Sequence, residues 1–170
     1  GVQTCALPIF PRQDPAVVPS RPQAVAVGGD GADIIRGGNG RDVIFVGNGY
    51  TLTDIDPDQV YGNGGRDLFV LDVPYVFSGN FFGQNNGPSV IHDFKDGKDF
   101  IGLSNSYFGN TRGTKFKDLD IRQVGTDAMV AFEGYDIARI KNTSASDLTR
   151  KDFVQNVEYS EYIDHWDYFV

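Results

Sequence analysis

Asp33 and Asp42 stand nine residues apart, each five residues beyond the start of a Gly-Gly pair and two residues before an isoleucine. Asp67 has a related setting, five residues beyond Gly62 and two before Phe69. A carboxylate among glycines is a hard, anionic oxygen in a segment whose backbone can turn several carbonyls towards one point without side chains in the way. Calcium takes six to eight such oxygens at roughly 2.3 to 2.6 Å. The residue patterns of covalent or acid–base catalysis are not found here. The chain has two histidines, His92 and His165, with no H-E-x-x-H helix, no G-x-S-x-G elbow and no glycine loop followed by Lys-Ser/Thr. His92, ahead of Asp93, reads as a half-buried polar strand residue, and Cys5 has no activating partner nearby. The expectation is a cation-binding protein and not an enzyme.

The aspartates belong to a repeat. Written G-G-x-G-x-D-x-U-x, with U a large apolar residue, the pattern is met in full by Gly28 to Arg36 and again by Gly37 to Phe45. A third copy, Val46 to Asp54, keeps Gly47 and Gly49 but has Thr51 at the position of the aspartate. A fourth, Gly62 to Val70, follows an insertion and has Asp67 and Phe69 in register. Turn chemistry alone does not demand a nine-residue period. The closing residues, Ile34-Ile35-Arg36 and Val43-Ile44-Phe45, are rich in β-branched and aromatic types and predict short strands between the loops. Inside the insertion, Asp54, Asp56 and Asp58 begin like an EF-hand loop. Gln59 stands where that loop needs its glycine and Gly65 where it needs its glutamate, so a solvated acidic loop lending at most one extra ligand is expected instead.

This nonapeptide resembles the calcium-binding repeat of the RTX (repeats-in-toxin, hemolysin-type) proteins. The resemblance implies a parallel β-roll in which loops and strands alternate on two sides and calcium sits between loops stacked on one side. Copies one and three would share a site, as would copies two and four. The ligands it implies are carboxylates and loop carbonyls of Gly28, Asp30, Ala32, Asp33, Gly37, Asn39, Arg41, Asp42, Gly47, Gly49, Gly62, Gly64, Arg66 and Asp67. Asp42 with Asp67 would be the best-formed pair, and Asp33 would face Thr51. Further on, Val90 to Ser104 runs as a strand, a turn around Asp96-Gly97 and a second strand. It resembles the I-x-D-F-x-x-G-x-D-x-I-x-L segment after the repeats of serralysin-type and cyanobacterial relatives. That makes Asp93 and Asp99 metal candidates of second rank, with turn carboxylates satisfied by backbone amides as the alternative.

The rest of the chain must position these loops. With 15 basic and 23 acidic residues among 170, a net charge of −8 disfavours nucleic acid and anionic membrane and favours cations. Thirteen Phe, eight Tyr and 21 Gly point to strands and turns, hence an all-β fold with an antiparallel β C-terminal cap on the roll. Four stretches are expected. Residues 1–9 resemble a translated sequencing adapter and are expected to be non-native. Residues 10–27 form a Pro-rich linker with a lead-in strand at Gln23 to Val27. Residues 28–72 form the calcium-binding roll. Residues 73–170 form a C-terminal β-domain, with strands at 120–124, 128–132 and 137–140 joined by hairpin turns and a short helical turn before Phe153.

From Gly28 to Asp72 there are eight Asp, three Arg, no Lys and eleven Gly, so self-repulsion and backbone entropy oppose order until a cation binds. No stretch approaches the ~20 apolar residues of a membrane span. The ending Asp167-Tyr168-Phe169-Val170, an acid followed by three apolar residues, resembles the export signal of proteins secreted by a type I ABC exporter. The expected role is a calcium-gated folding module of a secreted, extracellular bacterial protein. The alternatives are the tail of a secreted hydrolase, protease or lipase, whose catalytic domain lies upstream, or an adhesin or surface-layer module.

Overall fold

The computed structural model of the chain describes residues 2–3, 24–28, 31–46, 57–71, 76–77, 80–81, 87–104 and 114–158. Its strands are β1 (Val2–Gln3), β2 (Ala24–Val27), β3 (Ile34–Gly40), β4 (Asp42–Val46), β5 (Gln59–Gly65), β6 (Leu68–Leu71), β7 (Val76–Phe77), β8 (Asn80–Phe81), β9 (Ser89–Ile91), β10 (Phe100–Ser104), β11 (Leu119–Val124), β12 (Asp127–Phe132), β13 (Tyr135–Ile140) and β14 (Phe153–Val157). Two single-turn 3₁₀ helices, Phe116–Asp118 and Arg150–Asp152, are the only helices among the described residues. None is long or apolar enough to cross a membrane. The protein is all-β, as its composition predicts.

Successive strands alternate between two sheets. One sheet has the order β14-β10-β6-β4-β2 and the other β1-β3-β5-β9-β13-β12-β11, while β7 and β8 form a separate antiparallel pair. The first sheet is parallel throughout. The second is parallel from β1 to β13 and becomes antiparallel at the β13-β12-β11 hairpins. Its hairpin strands lie within a few residues of the three expected from the Gly125-Thr126 and Glu133-Gly134 turns.

The eighth position of the repeat supplies the core. Ile35, Val60, Ile91 and Ile140 are in register in one sheet, and Ala26, Ile44, Phe69, Ile101 and Phe153 in the other. All nine are at most 4% exposed and lie in one cluster between the sheets. A fully buried side chain of this kind contributes about 1.5–3 kcal/mol. The first sheet carries a second buried cluster on its other face, Val25, Val43, Phe45, Leu68, Val70 and Val157. Burial on both faces is why β4 and β6 read as unbroken apolar runs and do not alternate.

Three observations bear on the expected organisation. The division at residues 72/73 is not a break in either sheet: β9 extends the sheet of β3 and β5, β10 that of β6, and β14 pairs in parallel with β10. One core runs from Ala26 to Phe153. The strand, turn and strand around Asp96-Gly97 place β9 and β10 in different sheets, because the chain crosses from one side to the other as the repeats do. Finally, Val2–Gln3, in the stretch expected to be non-native, pairs with Ile34 and Ile35 as an edge strand.

The antiparallel end is fixed by a buried carboxylate, Asp127, 1% exposed. It accepts from Arg139 Nε at 2.7 Å, Lys141 Nζ at 2.9 Å, the Asn142 amide at 2.9 Å and Thr126 Oγ1 at 3.2 Å. The Asn142 amide, then the Lys141 ammonium, hold this carboxyl well below the usual carboxylate range. A buried charge that is fully hydrogen-bonded and paired is tolerated.

Candidate metal centre

A column of aspartates stands at the start of the strands on one side of the fold. Asp42 opens β4, Asp67 precedes β6 and Asp99 precedes β10, and the strands are paired in that order. The glycine loop before each aspartate lets the chain turn from one sheet to the other, so the parallel register stacks the carboxylates. Each carboxylate then holds the backbone amide of the preceding coil. The Asp42 amide donates to Asp67 Oδ1 at 3.1 Å and the Asp67 amide to Asp99 Oδ1 at 3.0 Å. Asp42, Asp67 and Asp99 are 1%, 2% and 3% exposed.

The second oxygens turn back into the loops. A Cβ placed on Gly37 would lie 2.8 Å from Asp42 Oδ2 and 2.8 Å from the Gly62 carbonyl oxygen. A Cβ placed on Gly62 would lie 2.5 Å from Asp67 Oδ2, and one on Gly64 2.9 Å from Asn39 Oδ1. Glycine at these positions therefore makes a cradle of loops that leaves room beside two carboxylate oxygens, a backbone carbonyl and an amide oxygen. Among the described residues, Asp42 Oδ2 is the buried side-chain polar atom without a hydrogen-bond partner.

Among the described residues, no Lys or Arg is seen paired with either of these two carboxylates. Burial pushes the Asp67 carboxyl up to about 6, opposed by the Asp42 amide and reinforced by the like charges of Asp99, Asp42 and Asp93. Burial likewise raises Asp42, against the pull of the Ala24 and Gly38 backbone. Asp127 shows the contrary case, a buried carboxylate supplied with Arg and Lys. An orphaned, buried carboxylate oxygen facing a backbone carbonyl across glycine fits a hard cation. No three His, Cys, Asp or Glu side chains converge among the described residues. A cation here would therefore draw on carbonyls as much as on carboxylates.

The opposite side has its own column. The Asp33 amide donates to Asp58 Oδ1 at 2.9 Å, and the Asp58 amide to Ser89 Oγ at 3.1 Å. A Cβ on Gly28 would lie 3.3 Å from both Asp33 Oδ2 and Asp58 Oδ2. This corrects the expected register of the third repeat. The residue opposite Asp33 is Asp58 and not Thr51, because Ile34 pairs with Gln59 and Ile35 with Val60. Seven residues, Thr51 to Pro57, are inserted within the third loop, and Asp58-Gln59-Val60-Tyr61 completes it. Asp58 is 0% exposed, so it is not part of a solvated acidic loop. Asp58→Ala is thus expected to raise the calcium midpoint of folding as much as Asp33→Ala does, within about threefold. A calcium titration followed by circular dichroism checks this, and a silent Asp58→Ala would count against the register.

Of the residues expected from the sequence, Gly28, Ala32, Asp33, Gly37, Asn39, Arg41, Asp42, Gly62, Gly64, Arg66, Asp67, Asp93 and Asp99 are placed on these two columns of loops. Asp30, Gly47 and Gly49 lie outside the described residues, as do Asp54 and Asp56 and the ending Asp167 to Val170. Asp93 and Asp99 are already served by amides. Gly62 and Asn63 donate to the two oxygens of Asp93 at 2.8 and 2.7 Å, and Lys95 donates to Asp99 Oδ2 at 2.9 Å. Sequence reading missed Asp58 and the outer stack in which Arg36 covers Tyr61 at 4.2 Å and Tyr61 stacks on His92 at 4.3 Å. His92 Nε2 also lies 2.7 Å from Gln59 Oε1, so the imidazole is a packed residue just beyond the end of β9.

Comparison with known proteins agrees on the repeat. The family model of the RTX calcium-binding nonapeptide repeat, four copies long, matches residues 25–51. Calcium is accordingly the cation of these loops. No curated protein matches the chain. Among solved structures, the chain is similar to a subunit of the Azotobacter vinelandii mannuronan C5-epimerase, at 20% identity and a TM-score of 0.27 over 84% of this chain and 86% of that one.

Proposed function

We propose that the chain is a calcium-gated folding module: a parallel β-roll of nonapeptide repeats, closed by an antiparallel cap, within a secreted bacterial protein exported by a type I ABC exporter. The observation that carries the reading is Asp42 Oδ2, buried without a hydrogen bond between two glycine loops and beside a second carboxylate. Bound there, calcium supplies the positive charge that the Asp42–Asp67 column lacks. The residues that would hold it are Asp42, Asp67, Asn39 and the carbonyls of Gly37, Arg41, Gly62, Gly64 and Arg66. On the other side they are Asp33, Asp58, Asp30 and the carbonyls of Gly28, Ala32, Gly47 and Gly49.

The reading assigns no catalysis to these residues. A site present only in the folded chain makes binding free energy into folding free energy. Extracellular modules work at roughly 10⁻⁴ to 10⁻³ M calcium, far above cytosolic levels, so such a chain stays unfolded before export and folds outside. Asp167-Tyr168-Phe169-Val170 would serve the exporter in this scheme.

The test is far-ultraviolet circular dichroism of the chain in chelator, in millimolar calcium and in millimolar magnesium. Calcium is expected to restore the β signal cooperatively. Magnesium is not, since it demands near-ideal octahedral geometry and gives up water reluctantly. Equal signals in chelator and calcium would count against the reading.

A further inference from the structure

The column of aspartates has three members but only one kind of partner between the first two and another between the last two. Between Asp42 and Asp67 there is an oxygen without a donor and, among the described residues, no paired Lys or Arg. Around Asp99 both oxygens are taken, by the Asp67 amide at 3.0 Å and the Lys95 amide at 2.9 Å. Both oxygens of Asp93, which stands in the place of the loop glycine, are taken by the amides of Gly62 and Asn63. Lys95 reaches back along the column, its ammonium 3.3 Å from the Asn63 carbonyl. That carbonyl belongs to the same loop that carries Gly62. Lys95 and Lys98 also lower the Asp99 carboxyl against the burial that raises it, whereas every charged group acting on Asp67 is an aspartate.

We infer that the rung formed by Asp93 and Asp99 takes no calcium and is closed by the protein's own backbone amides, with the Lys95 ammonium on the Asn63 carbonyl, so that this turn is a built-in stop to the metal column. The inference rests on the calcium reading of the Asp42–Asp67 rung and corrects the assignment of Asp93 and Asp99 as metal candidates. A compact turn, with Lys95, Asp96, Gly97 and Lys98 exposed at its tip and Gly97 at φ +72°, carries the two lysines. Such a turn lets the fold pass from metal-held loops to the hairpin end, where Asp127 is likewise held by Arg139 and Lys141.

Isothermal titration calorimetry with calcium on the full chain separates the possibilities. The number of bound ions is compared between the unaltered chain, Asp42→Asn, Asp93→Asn and the double variant Lys95→Met with Lys98→Met. Asp42→Asn is expected to lower the number by at least one, and Asp93→Asn to leave it unchanged. The double variant is expected either to gain an ion or to need at least threefold more calcium to fold, since the Asn63 carbonyl has lost the Lys95 ammonium and the turn its two positive charges. A lower number in Asp93→Asn would place a metal at this rung and overturn the inference. So would a double variant that folds at the original calcium concentration with the original number of ions. Absence of calcium heat in the unaltered chain would instead defeat the calcium reading itself, before any variant is compared.

Discussion

Gly62→Ala is expected to raise the calcium midpoint of folding at least tenfold, equalling Asp67→Ala although it removes no ligand side chain. The new methyl would stand 2.5 Å from Asp67 Oδ2 and 2.9 Å from Phe69 Cζ, so the carboxylate oxygen and the core ring would both have to move. Phe69 is 0% exposed and close-packed and cannot give way cheaply, which leaves the carboxylate to be displaced from the cradle. Tenfold in midpoint corresponds to about 1.4 kcal/mol. Gly38→Ala is the control. Its methyl would lie 3.7 Å from Asp42 Oδ2, an ordinary contact, and should shift the midpoint less than about threefold. Calcium titrations of the three variants by circular dichroism decide this. If Gly38→Ala and Gly62→Ala behave alike, the loops do not use the second carboxylate oxygens as described.

Acid is expected to do part of the work of calcium. Folding raises the Asp67 carboxyl to about 6 by burial, above its ordinary value near 4, so the folded chain holds that proton more tightly than the unfolded one. The favourable contribution is complete below about pH 4 and is lost as pH rises through about 6. At neutral pH the ionised group opposes folding by roughly 3 kcal/mol until a cation meets it. Burial raises Asp42 and Asp99 in the same direction. In chelator, the β signal should therefore be stronger at pH 5 than at pH 7.5, and Asp67→Asn should flatten the difference. With calcium present the order reverses, because protons compete for the same oxygens and the midpoint rises below about pH 6. A chelated chain equally folded at both pH values would show that these carboxylates are not what holds it open.

The in-register copies at Gly28 to Phe45 made one rung of each column legible. Period and chemistry coincide there: the residue proposed as a ligand, Asp42, is also the one whose amide hydrogen-bonds the next coil, and Ile44 two residues on enters the core. Asp58 was hidden because a nine-residue count fails across an insertion. Reading backwards from Gly62 would have found it, since Asp58-Gln59-Val60-Tyr61 repeats the end of a copy and Ser89-Val90-Ile91-His92 repeats it again with a serine. The continuity of the sheets past residue 72 was illegible for a different reason. Once Asp67 is passed, the Gly-Gly-x-Gly pattern no longer marks the loops, and what β9, β10 and β14 share with the repeats is an apolar residue in register with the eighth position.

The most direct measurement is amide hydrogen exchange resolved by residue, in calcium and in chelator. The amides of Asp42 and Asp67 donate to the column carboxylates, whereas the Asn142 amide donates to Asp127, which has its own cations. With calcium all three are expected to be protected. On chelation the Asp42 and Asp67 amides should lose at least a hundredfold in protection, about 2.7 kcal/mol at 1.4 kcal/mol per tenfold. Protection at Asp42 and Asp67 that is the same in chelator as in calcium would contradict the account.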